Sequence, residues 1–186
     1  MKYFVFLLSA LVLISCSESP ESYNKRAFAV ADSLFDYSET AFSVASMRQS
    51  TWRTAIFDDE YKNPVTGEYK LNDRGYKANV DFNEALQYFN DDMALFFMIV
   101  ESEQEKADSL YATIKEYPDD SENVYDNIKE LFHIYSLSVD MALEAEGSLK
   151  SYSSNLNDLY SDFKEIKSKI EIDKKWSFFT SGQYVL

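Results

Sequence analysis

Residues 121–172 read SENVYDNIKELFHIYSLSVDMALEAEGSLKSYSSNLNDLYSDFKEIKSKIEI. Along them a stripe recurs in alternating steps of four and three: Val124, Ile128, Leu131, Tyr135, Ser138, Ala142 and Ala145, then Leu149, Tyr152, Leu156, Leu159, Phe163, Ile166 and Ile170. A strand would alternate every second residue, so a mean step near 3.5 is the mark of a helix with one core-facing stripe. Gly147 falls off the stripe and leaves its phase unchanged. The spacing therefore predicts one helix over 121–172, about 75 Å long at 1.5 Å per residue. A hairpin at Glu146-Gly147-Ser148, giving four helices, is the alternative.

The same spacing extends backwards. Phe28, Phe35, Phe42 and Ile56 lie on one seven-residue row, with polar Gln49 in the vacant slot and Ala31, Ser38, Ala45 and Trp52 on a second row. Ser19-Pro20-Glu21 has the order of a helix start: a capping serine, a proline in the first turn and an acid. Asp81-Phe82-Asn83-Glu84 has the form of a capping box. It opens a stripe from Phe82 through Phe89, Met93, Phe96 and Val100 to Ile114 and Tyr117, broken only by Glu103. Pro64, Gly67 and Gly75 cluster between these segments, and Pro118 stands alone. The expected fold is all-α: an elongated antiparallel three-helix (alternatively four-helix) coiled-coil-like bundle, with helices over about 20–59, 81–117 and 121–172. A loop over 61–80 and an aromatic tail over 173–186 complete one domain spanning 16–186. In an up-down-up arrangement, that loop and that tail meet at the end remote from the N-terminus.

Composition removes whole classes of function. The chain has 186 residues, of which 46% are apolar, enough for one sizeable core. Four glycines and three prolines are too few for a many-stranded barrel or sandwich. A single cysteine and a single histidine, His133, exclude a disulfide framework, a zinc finger and a histidine-based di-iron bundle. No metal site is expected. No glycine-rich phosphate loop and no G-x-S-x-G elbow occurs, so neither an enzyme nor a cofactor is expected. A net charge of −14 opposes nucleic-acid binding.

The first sixteen residues carry an address. Met1-Lys2 precedes an apolar run from Tyr3 to Ile14 that is too short to span a bilayer. The run ends in Leu13-Ile14-Ser15-Cys16, which resembles the lipobox of bacterial lipoproteins. The resemblance implies that residues 1–15 are a signal peptide that is removed. It also implies that Cys16 is the lipidation site, carrying palmitate-type acyl chains that attach the protein to the membrane. Ser17 stands where aspartate would mark inner-membrane retention, which favours the cell outer membrane.

Charge is unevenly spread. Residues 81–149 hold three bases and seventeen acids, whereas 48–80 and 150–186 each hold six bases and five acids. The near-neutral regions contain Tyr61, Tyr69, Lys70, Arg74, Tyr76, Lys77 and Trp176, to which no packing duty is assigned. Tyrosines among bases in a segment without apolar periodicity suit recognition of a protein partner. A short hairpin around Asn63–Gly67 is the purely structural alternative. The expected role is a lipid-anchored, non-enzymatic protein-binding module acting through its membrane-distal end. An immunity or superinfection-exclusion lipoprotein, and an envelope spacer or homo-oligomeric coiled coil, are the alternatives.

Overall fold

The computed structural model describes residues 18–180, with side chains to Ser177. It is all-helical: α1 (Pro20–Phe57), α2 (Phe82–Ala112), a single 3-10 turn (Asp119–Ser121), α3 (Glu122–Leu143) and α4 (Leu149–Thr180). The starts follow the sequence signals. Ser19 Oγ accepts from the Ser22 amide. Asp81 Oδ1 accepts from the Asn83 and Glu84 amides at 2.8 and 3.0 Å. Glu84 reaches back to the Asp81 amide, completing the capping box.

The 38-residue α1 is the axis of the molecule, since α2, α3 and α4 all pack against it while the backbones of α2 and α4 stay more than 8 Å apart. Its two heptad rows are therefore only part of its buried surface. Tyr23, Ala27, Val30, Leu34, Ala41, Val44 and Ala55 are buried as well, as a helix with neighbours on three sides requires. Ile56 departs from the expected row and is exposed, because the chain leaves the bundle one residue later. Phe163 of α4 packs between Phe35 and Phe42 of α1, with ring centroids 6.2 and 5.4 Å away. Core residues run from Tyr23 to Ile170, so a chain beginning at residue 17 keeps all of them.

The single helix expected over 121–172 is two helices, the arrangement given as the alternative with a hairpin at Glu146-Gly147-Ser148. Glu144 is extended and Gly147 has φ +81°, a value that favours glycine. Ser148 and Ser151 exchange side-chain-to-amide hydrogen bonds at 3.1 and 2.9 Å, starting α4. The unbroken heptad phase favoured one helix over the hairpin. A turn that keeps Ala142 and Leu149 seven residues apart lets both helices face the same core without any slip in count.

This turn reverses the chain, which corrects the placement of everything after it. Lys167 pairs with Glu39 and Lys174 with Asp32, and Asn127 donates to Asp173 at 2.8 Å. α4 therefore descends toward the start of α1, and Trp176 lies at the end opposite the 58–81 loop. Cys16 and the tail residues after Thr180 lie outside the described residues.

One theme links the helix ends. Neither α2 nor α3 has a base in its last turn, where a cation would complement the exposed carbonyls. α1 supplies the donors instead. Tyr23 donates its hydroxyl to the Ile114 carbonyl at 2.9 Å, and Arg26 donates to Thr113. Arg48, only 3% exposed, donates to the carbonyls of Ala142 and Leu143 at 3.0 Å. Its guanidinium also lies over the rings of Phe89 and Phe97, 5.0 and 5.3 Å from their centroids.

Candidate functional site

The connection between α1 and α2 is an ordered double turn. Asp59 adopts φ +50° and its carbonyl accepts from the Val80 amide at 2.9 Å, closing the base. Inside, two asparagines act alike. The side-chain oxygen of Asn63 accepts from the Val65 and Thr66 amides, both at 2.8 Å. That of Asn72 accepts from Arg74 and Tyr76 at 3.0 and 3.1 Å. Each turn is completed by a glycine at positive φ, Gly67 and Gly75. Antiparallel bridges Lys62–Tyr69 and Leu71–Lys77 hold the arms together. The first turn folds back on α1 and leaves a cleft of about 240 Å³ lined by Met47, Thr51, Thr54, Lys62 and Pro64.

The candidate residues divide sharply. Tyr61 is not available to a partner, contrary to expectation: it is 3% exposed and donates to Asp92 Oδ2 at 2.6 Å. Burial, and then this bond to a carboxylate, push its pKa far up. Its ring meets Tyr88 at 5.4 Å, so Tyr61 is the pin that fastens the loop to α2. Tyr69, Lys70, Arg74, Tyr76 and Lys77 are exposed and share the loop. Lys77 lies 3.7 Å from the centroid of the Tyr69 ring and pairs with Glu60 at 2.8 Å; this hydrogen bond raises its pKa. Lys70 sits over the Tyr88 ring at 4.3 Å. Tyr76 is 70% exposed, and Arg74 makes no ion pair among the described residues.

Trp176 leaves this group, because the reversal at 144–148 carries it to the far end. The bases in the second half of α4 go with it, and two of them, Lys167 and Lys174, neutralise acids of α1. The structure adds apolar members outside the expected set, of which Ile56 alone was expected on a core row. Phe57 is 71% exposed, and Ile56, Val65 and Leu71 are exposed also. Phe57 is the last residue of α1, just before the acidic Asp58-Asp59-Glu60 run.

His133 is exposed on α3. Among the described residues, no group of three or more His, Cys, Asp or Glu side chains is placed to hold a metal ion. No helix among them is long and apolar enough to cross a membrane. Comparison of the chain with protein-family models, curated proteins and solved structures finds no match.

Proposed function

We propose that this protein is a lipid-anchored envelope module that binds a protein partner through the loop-bearing end of its bundle. The observation that carries the reading is the exposure of Phe57, Leu71 and Tyr76 beside Lys70 and Arg74 on a loop already held by hydrogen bonds. Aromatic and arginine side chains supply most of the energy of protein interfaces. A loop ordered before binding avoids much of the entropic cost of association. The anchor fits the same picture. Cys16 precedes the α1 cap Ser19 by three residues, and α1 then places the loop about 57 Å away at 1.5 Å per residue. Lipid at one end and recognition at the other let the partner approach without competition from the membrane. The role in this reading is recognition, not catalysis.

The test combines stability with capture in living cells. A variant carrying Phe57→Ser, Leu71→Ser, Arg74→Ser and Tyr76→Ser should unfold within about 0.5 kcal/mol per site of the parent, as exposed positions do. A photo-cross-linker at Asn79, also exposed, should trap a discrete protein in the parent and lose it in the variant. A variant that melts early would make these residues structural. Undiminished capture, or no capture by the parent, would move function away from the loop.

A further inference from the structure

A second apolar surface lies on α2, away from the loop. Leu95 and Met98 are 66% and 65% exposed, and Ile99 is exposed beside them. They occupy positions i, i+3 and i+4 of one helix and so form a contiguous patch. The opposite side of α2, with Phe89, Met93, Val100 and Ala107, is buried. α2 packs on α1 and α3, and the exposure of Leu95, Met98 and Ile99 shows that this face points out of the bundle.

The surroundings of the patch are acidic. Asp91 and Asp92 lie one turn before it, Glu101 and Glu105 follow it, and all four are exposed. Against seven acids, α2 holds one base, Lys106. We propose that this face receives a basic amphipathic helix of a partner protein, its apolar stripe on Leu95, Met98 and Ile99 and its flanking lysines or arginines on the acid rim. Charge decides the occupant. A second copy of the chain would oppose one acid rim to another across a two-fold axis, and an anionic lipid surface would be repelled in the same way. A helix with basic flanks satisfies both the patch and its rim, the arrangement by which apolar anchors and flanking charges select helical partners. The flexible thioether of Met98 can adapt to the partner's side chains.

The probe is a fluorescent peptide of about 18 residues, five helical turns, with leucine at i, i+3, i+4 and i+7 flanked by lysine. A control peptide replaces each lysine with glutamate. The chain from residue 17 should raise the anisotropy of the lysine peptide and leave the glutamate peptide unchanged. Leu95→Ser with Met98→Ser should weaken binding at least about tenfold, 1.4 kcal/mol, with an unchanged melting curve. Equal binding by that double variant would reduce the effect to bulk charge and overturn the proposal, as would failure of the parent to bind. Sedimentation showing a dimer that the double variant dissolves would assign the face to a second copy. Binding to phosphatidylglycerol vesicles that the double variant abolishes would assign it to lipid.

Discussion

Arg48 is the residue on which two helices depend. Its guanidinium satisfies the last carbonyls of α3 while packed on Phe89 and Phe97 of α2, so it joins three elements at one buried point. Arg48→Met preserves much of the volume and removes every donor. Leaving those carbonyls unpaired in the core should cost about 3 kcal/mol, read as a lower urea midpoint with little change in slope. Glu103 is a different kind of polar intrusion. It stands in the α2 stripe with Oε2 buried and unpartnered, and burial raises its pKa above the usual carboxylate value. Thr40 and Lys106 partly offset that rise, and Asp36 adds to it. The folded state therefore holds this proton more tightly than the unfolded chain does. The stability from this group is fully present below the unfolded carboxylate pKa and is lost as pH rises through the folded one. Glu103→Gln should be more stable than the parent at pH 7, and the gap should close as the parent is acidified. Melting curves of the two proteins across that range check the sign; a gap that widens in acid would contradict it.

At the scale of elements, the decisive event is the break between α3 and α4. Five residues, Glu144 to Ser148, separate two helices of 22 and 32 residues. The hairpin has a simple distance signature. Lys129 and Glu171 are exposed and lie near the Asn127–Asp173 contact. Spin labels on cysteines at these two positions, in a chain starting at residue 17 and so free of Cys16, should be less than about 25 Å apart. One continuous helix would hold them about 63 Å apart at 1.5 Å per residue. The loop between α1 and α2 is legible by comparison: Asn63 with Gly67, and Asn72 with Gly75, are turn chemistry written in the sequence. The burial of Tyr61 within it was not. An aromatic residue at a loop entrance looks the same whether it meets solvent or, as here, Asp92 of the next helix.

For the whole molecule, polarity is the organising property. The start of α1, the 3-10 turn and the end of α4 share one end; the 58–81 loop and the 144–148 turn share the other. Ser19, which follows the proposed lipid site Cys16 by three residues, caps the end of α1 opposite the loop. Cys16→Ser should yield an uncleaved or soluble product, seen as a mobility shift and as loss from the detergent phase on partitioning. Unchanged partitioning would remove the anchor and, with it, the directional part of the proposed function.

The sequence alone determined the all-helical class, the helix starts at Ser19 and Asp81 and the place of the long loop. Each rests on interactions within about four residues: caps, turn asparagines, and a stripe repeated every three or four positions. Tertiary structure alone decided the number of helices, the direction of α4 and the fates of Tyr61, Trp176 and Arg48. A turn that preserves heptad phase leaves no trace in the periodicity. The burial of a single polar side chain depends on which helix end or carboxylate arrives beside it, and those partners lie 31 residues away for Tyr61 and 94 for Arg48.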